Sequence, residues 1–189
     1  RQFTFYEQQS FVTSGMNYFE LFEIPVSLSV DTHELQAKYA ELRKKYDSEI
    51  FKNEEDNTRK EMAEKNEMVT NGYRLLQDPD DTIQYVLEMR CLYNEEESYD
   101  LPAAFLTEMA ELNEALTDED ILDIEEAETK IFSLQKTLYD EVQNIFEGYS
   151  DDTTTDAQLL QVKDYYYKKK FLKRILERLD GMRNIASPN

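Results

Sequence analysis

Apolar side chains recur at three- and four-residue spacing over two consecutive stretches in the first half of the chain, which is the pattern of amphipathic helices. Asp31-Thr32-His33-Glu34 precedes the first stretch and has the pattern of a helix N-terminal capping box. The Asp31 side chain can accept hydrogen bonds from the amides of the first turn, and the Glu34 side chain can accept one from the Asp31 amide. The second stretch stops at Asp78-Pro79, as a helix should before proline. The pattern predicts two antiparallel helices joined by a polar loop. The stripes are Leu35, Tyr39, Leu42 and Tyr46, followed by Met62, Val69, Tyr73 and Leu76.

The composition supports an all-α protein and excludes several classes of function. Four Gly and four Pro among 189 residues leave few helix breakers, and no apolar run approaches the roughly twenty residues of a membrane span. A net charge of −20 argues against nucleic acid and disfavours anionic membranes. Cys91 is the only cysteine, which excludes an intrachain disulfide and a Cys-rich metal site. We therefore expect protein partners and no cofactor.

The second half of the chain predicts a further set of helices. A short helix is expected over 82–92, and the acidic, proline-marked segment 94–102 is the best candidate for a linker. Three helices then follow, over 103–116, 120–146 and 157–182. Residues 107–152 carry a net charge of −13, and residues 163–178 carry a net charge of +5. Electrostatic attraction therefore favours packing of the basic last helix antiparallel to the two acidic helices before it. The result is a three-helix antiparallel bundle. Its apolar stripes include Phe105, Leu106, Met109 and Leu112, then Ala127, Ile131, Leu134, Leu138 and Ile145.

Several short motifs occur in an order that resembles a known family. A helical hairpin whose first helix is faced with basic residues resembles a J-domain. Tyr18-Phe19-Glu20-Leu21-Phe22, Asn71-Gly72-Tyr73-Arg74-Leu75-Leu76 and Asp78-Pro79 are similar to the HscB branch, the co-chaperones of iron–sulfur cluster assembly. Phe105-Leu106, Glu111-Leu112 and Phe171-Leu172 resemble parts of that family's bundle, so the resemblance spans about 17–182. It implies a degenerate J-domain hairpin followed by a C-terminal three-helix bundle.

The J-domain loop departs from the family pattern. The resemblance implies His-Pro-Asp after Tyr46, which together with a basic helix docks on a DnaK-class ATPase and triggers hydrolysis; here the loop reads Asp47-Ser48-Glu49. Asp47 cannot donate as an imidazole does, and Ser48 lacks the fixed φ of proline. We therefore predict that the trigger is lost, although weak docking is still possible. The degenerate docking surface comprises Lys38, Arg43, Lys44, Lys45, Asp47, Ser48 and Glu49.

A second surface implied by the resemblance would bind an IscU-type scaffold. It is an apolar patch ringed by acids, on the first bundle helix and the last. Thr107 and Ala110 stand where the family prefers large apolar residues, so the anchor is smaller and binding is expected to be weak or absent. The last loop and helix are about one turn longer than the family pattern, so Tyr167 is an alternative to Phe171 as the aromatic residue of this surface. The surface comprises Leu106, Thr107, Ala110, Glu111, Glu114, Asp118 and Phe171.

Other candidate sites are weaker, and we predict that the protein is not an enzyme. His33 is the only histidine and is expected on the surface of a helix's first turn. One His and one Cys are too few for a zinc site or a nucleophile–base pair. The acidic runs lack the Gly-centred spacing of a calcium loop. Tyr165-Tyr166-Tyr167 and Lys168-Lys169-Lys170 point in several directions on a helix, and the acidic bundle is a sufficient partner.

Two functions remain open, and we favour the first, because both surfaces implied by the resemblance are altered while the fold signals are intact. The first is a non-catalytic adaptor or accessory subunit of a larger mitochondrial complex, in the respiratory chain or its assembly, on the matrix side. The second is a working iron–sulfur co-chaperone that binds an IscU-type scaffold and stimulates a DnaK-class ATPase. The expected domains are an N-terminal extension over 1–15, a J-like domain over 16–93, the linker over 94–102, the bundle over 103–184 and a tail over 185–189.

Overall fold

The all-α fold is confirmed. The computed structural model describes residues 16–115 and 121–186, and within these ranges it contains seven helices and no strand. The predicted N-terminal extension and the end of the tail lie outside them. In chain order the helices are α1 (Tyr18–Phe22), α2 (Thr32–Lys45), α3 (Asp56–Gln77), α4 (Pro79–Met89), α5 (Ala103–Ala115), α6 (Ile121–Glu147) and α7 (Asp156–Ala186).

The chain divides into two compact units, and the boundary differs from the prediction. The first unit contains α1 to α4 together with Tyr149–Thr153, and the second contains Arg90–Gly148 and the chain from Thr154 onward. The boundary therefore falls after Met89 rather than after residue 93. Residues 94–102 belong to the second unit and are not a free linker, because their side chains bond to α7.

The short helix α1 is fixed by a capping box that the sequence analysis missed. The Glu20 amide donates to Asn17 Oδ1 at 2.9 Å, and the Asn17 amide donates to Glu20 Oε2 at 2.8 Å. This arrangement satisfies two amides of the first helical turn. Four of its five residues are buried, so α1 is part of the hydrophobic core of the first unit.

The α2–α3 hairpin forms as predicted, with a core narrower than the stripes suggest. Asp31 caps α2 by accepting from the amides of His33 and Glu34, and these bonds hold the pKa of its carboxyl below the usual value. Leu35 and Val69 are fully buried, whereas Tyr39 and Tyr73 stack at 4.0 Å and remain partly exposed. The pair therefore closes the rim of the hairpin rather than filling its centre.

Helix α4 begins three residues earlier than expected. Asp78-Pro79 ends α3, and it also starts α4, because Asp78 Oδ1 accepts from the amides of Asp80 and Asp81. Proline suits the first turn of a helix, where its missing N–H has no partner to lose. The α4 residue Tyr85 accepts from the Tyr18 amide at 3.0 Å, and burial raises the pKa of this phenol to about 12.

The second unit is built on the long α6–α7 hairpin. Ala127, Ile131 and Leu138 on α6 are buried, as are Leu172 and Leu179 on α7. Leu134 was predicted in this core but is only half-buried. The core stripe instead continues through Leu138, Val142 and Ile145. None of the described helices is long and apolar enough to cross a membrane.

We predict that Gly72→Ala destabilises the first unit. A Cβ at Gly72 would lie 2.5 Å from Tyr18 Cδ1 and 3.0 Å from Phe22 Cε2. Overpacking of this kind costs about 1–3 kcal/mol, and the better helix propensity of Ala returns only about 1 kcal/mol. Gly181→Ala is the matched control, because nothing lies within 4 Å of its Cβ position. Urea unfolding should show a loss for the first variant and no loss for the second; equal stability of the two would contradict the packing described for α1.

Substitutions at two adjacent residues test which face of α6 is buried against α7. Ile131 is fully buried and Phe132 is 58% exposed. Ile131→Asp should lower the free energy of unfolding by several kcal/mol because it buries an unpaired charge, whereas Phe132→Asp should change it by about 0.5 kcal/mol or less. Thermal and urea melts measure both. If both variants melt alike, the stripe has been assigned to the wrong face of α6.

Candidate functional site

The 47–49 turn follows directly after α2 and is closed by its own backbone and side chains. The Glu49 amide donates to Asp47 Oδ1 at 3.0 Å, and the Ile50 amide donates to Asp47 O at 3.1 Å. Glu49 pairs with Lys52 at 3.1 Å, and its side chain remains 77% exposed. Asp47 therefore uses one carboxylate oxygen inside the turn and offers no donor. What the turn presents outward is acidic, with Ile50 exposed beside it.

The predicted basic patch on α2 is partly engaged in holding the first unit together. Lys38 pairs with Glu23 at 3.2 Å. Arg43 donates to Asn66 Oδ1 at 2.7 Å and to Thr70 Oγ1 at 3.3 Å, which ties α2 to α3. Lys44 and Lys45 remain exposed near the end of the helix. Arg43 keeps its charge, because both partners are neutral, so Arg43, Lys44 and Lys45 supply the basic charge next to the turn.

The scaffold patch predicted on α5 and α7 is joined by one ring contact between the two helices. Phe105 is buried, and its ring meets that of Phe171 edge-to-face at 5.8 Å. Because Phe105 faces α7, its neighbour Leu106 is turned outward and is 43% exposed. We define Leu106, Thr107, Ala110, Glu111 and Phe171 as the α5–α7 patch.

The remaining patch residues contribute little apolar area. The Thr107 hydroxyl donates to Ala103 O at 3.0 Å, and Ala110 and Glu111 are exposed. Glu114 lies in the last turn of α5, and Asp118 lies outside the described residues. Leu106 is therefore the one large exposed aliphatic side chain that the described part of this patch offers.

Residues 94–102, which we call the strap, are fastened to α7 by a polar network. Lys163 is 7% exposed, and its Nζ lies 2.5 and 2.7 Å from the two carboxylate oxygens of Glu97. The Tyr99 hydroxyl donates to Asp164 Oδ1 at 2.8 Å, while Asp164 also pairs with Lys168 at 2.5 Å. Burial, followed by the bond to Asp164, raises the pKa of Tyr99. The buried lysine is thus neutralised by an acid from the predicted linker.

Three tyrosine rings stack beside this network, and we call them the aromatic ladder. Tyr167 lies between Tyr99, whose ring is parallel at 4.3 Å, and Tyr93, whose ring lies at 6.0 Å. Burial raises the pKa of Tyr167, and the neighbouring Tyr93 adds to the effect. Tyr167 therefore contacts the strap while Phe171, one turn later, contacts α5. Helical periodicity could not predict the contacts between the strap and α7, because the residues in contact are 65 or more positions apart in sequence.

The other sequence candidates show no site-like surroundings. His33 is exposed in the first turn of α2, and Cys91 is exposed after α4. Within residues 16–115 and 121–186, no group of three or more His, Cys, Asp or Glu side chains is placed to hold a metal ion.

Comparisons with known proteins agree with this architecture. No family model matches the chain. The co-chaperone protein HscB homolog of Shewanella woodyi is 29% identical over 171 residues, which are 87% of this chain and 97% of that protein. The HscB homolog of Shewanella oneidensis is 33% identical over 104 residues, which are 54% of this chain and 60% of that protein.

Two solved structures share the fold. The chaperone HscB from Vibrio cholerae superposes with a TM-score of 0.68 at 20% identity, covering 91% of this chain and 100% of that one. The human co-chaperone protein HscB gives a TM-score of 0.71 at 24% identity, covering 89% of this chain and 82% of that one. Over most of its length, the chain is thus similar to HscB co-chaperones.

This similarity to HscB co-chaperones changes the balance between the two functions considered from the sequence. The relatives named above are co-chaperones, and none of them is a respiratory-complex subunit. The accessory-subunit hypothesis, which we favoured from the sequence, therefore has no support here, and the co-chaperone alternative is favoured instead. The mitochondrial location stays a prediction.

Proposed function

We propose that this chain is an HscB-type, non-catalytic co-chaperone of iron–sulfur cluster assembly, which holds an IscU-type scaffold protein on its second unit. The observation that carries the proposal is the contact between Phe105 and Phe171, because it fixes α5 beside α7 and leaves Leu106 exposed. An exposed aliphatic side chain beside an aromatic ring is the kind of anchor that dominates protein interfaces. Glu108 and Glu111 are exposed on the same helix, which suits a partner with basic residues around its pocket.

The proposal assigns a weaker role to the first unit. Lys44 and Lys45 offer positive charge to a DnaK-class ATPase, but the 47–49 turn offers carboxylates where the family motif has an imidazole and a proline. An ATPase surface that accepts the family motif would meet like charge or an unpaired group at Asp47, which disfavours docking. The chain would therefore deliver or hold the scaffold without itself accelerating ATP hydrolysis.

Scaffold binding is tested by calorimetry with a purified IscU-type scaffold from the same organism. We expect measurable affinity for the unmodified chain and a loss of about tenfold or more for Leu106→Ala, since truncation of a buried Leu gives up roughly 1.5–3 kcal/mol. Leu160→Ala is the matched control, because Leu160 is a comparably exposed leucine of the same unit, at 49%. Absence of binding by the unmodified chain at scaffold concentrations of about 100 μM, near −5.5 kcal/mol, would overturn the proposed function.

The altered turn is tested by single-turnover ATP hydrolysis with the DnaK-class chaperone of the same compartment. We expect the unmodified chain to change the rate by less than about twofold. The triple variant Asp47→His, Ser48→Pro, Glu49→Asp should raise it about tenfold, which corresponds to about 1.4 kcal/mol of barrier. Tenfold stimulation by the unmodified chain that disappears in Glu49→Ala would show instead that the acidic turn is a working trigger.

A further inference from the structure

The aromatic ladder lies next to the α5–α7 patch and continues its surface. Tyr167 and Phe171 are four residues apart on α7 and so share one face of that helix. Tyr99 is stacked on Tyr167, and Phe171 contacts Phe105 of α5. The two ring pairs therefore lie on the same face of α7, one at the strap and the other at α5. Tyr93, Tyr99, Tyr167 and Phe171 are all half-buried, which leaves part of each ring accessible.

The polar network beneath the ladder holds these rings in place without adding net charge to the surface. Glu97 neutralises the buried Lys163, and Lys168 is paired with Asp164, to which Tyr99 also donates. Lys163 Nζ lies 5.8 Å from the Tyr99 ring centre. Rings that are already ordered lose little side-chain entropy when a partner covers them. A prearranged aromatic face of this kind is well suited to binding.

The charge around the ladder indicates the chemistry of the partner. Glu95, Glu96 and Asp100 of the strap are exposed, and Glu108 and Glu111 on α5 are exposed as well. The strap and α5 sides of this face are acidic, and there they complement Arg and Lys on a partner, since guanidinium and ammonium groups bind both the ring faces and the acids. On α7 itself, Lys170 and Arg174 lie three residues after Tyr167 and Phe171 and add positive charge to the same face.

We propose that the aromatic ladder, through Tyr99 and Tyr167, is part of the surface that binds the scaffold protein, and that it supplies the contact area lost at Thr107 and Ala110. The inference rests on the proposed function, because the occupant is the same scaffold. The interface then extends from Leu106 across Phe171 to the strap. It is aromatic at one end and aliphatic at the other, and it recognises basic residues on the partner.

Alanine variants of the ladder test the proposal by calorimetry with the purified scaffold. Tyr167→Ala and Tyr99→Ala should each weaken binding about tenfold or more, as the loss of an aromatic anchor does. Tyr99→Phe keeps the ring and should bind within about twofold of the unmodified chain. Tyr139→Ala is the matched control: Tyr139 is a half-buried tyrosine of the same unit whose ring contacts Tyr165, and Tyr165 lies about 200° around α7 from Tyr167.

A second measurement covers the case in which a ladder variant fails to fold. In the unmodified protein labelled with ¹⁵N, addition of scaffold should shift the amides of residues 95–101 and 164–171 as well as those of 105–111. Shifts confined to 105–111, or ladder variants that bind normally while Leu106→Ala does not, would overturn the ladder proposal and leave the proposed function intact. An absence of any binding by the unmodified chain would overturn both.

Discussion

The edge-to-face contact between Phe105 and Phe171 is the interaction on which the candidate surface depends. Helices α6 and α7 pack along a continuous apolar stripe, whereas α5 buries mainly Phe105 and Met109. The aromatic pair joins α5 to α7 at a 5.8 Å separation of ring centres, while α5 also packs against α6. With α5 in this orientation, Leu106 must face solvent and Thr107 must turn its hydroxyl back to its own helix. The composition of the exposed patch follows from the burial of Phe105 and Met109 on the opposite side of α5.

The first unit shows why a functional loop can change while its fold persists. The packing of α1 depends on Gly72, on the Asn17–Glu20 capping box and on Tyr85, all of which are remote in sequence from the turn after α2. Asp47, Ser48 and Glu49 are exposed, and the hydrogen bonds that they make in the turn reach no farther along the chain than Lys52. Substitution there removes no core contact, so the hairpin tolerates an acidic sequence in place of the family motif.

Helical periodicity was enough to predict the number and order of the long helices, because each buries one stripe and has recognisable ends. It was less informative where long-range contacts decide the structure. Residues 94–102 have the composition of a linker, yet Glu97 neutralises Lys163, and no local pattern could reveal a partner 66 residues away. Leu134 fits the α6 stripe by spacing but is half-buried, because the face buried against α7 passes through Ile131 and Leu138 instead. The residues of the patch could be predicted from the resemblance, whereas the ring contacts of Tyr167 and Phe171 could be seen only in the structure.

We propose that the chain works as a scaffold-holding co-chaperone rather than as a fixed subunit of a larger complex. Purification of the endogenous tagged protein under mild conditions, followed by native electrophoresis and mass spectrometry, tests this claim most directly. We predict a small assembly that contains an IscU-type scaffold and loses it when Leu106 is replaced by Ala. Stoichiometric recovery in a large respiratory complex, without any scaffold, would contradict the claim and restore the accessory-subunit hypothesis.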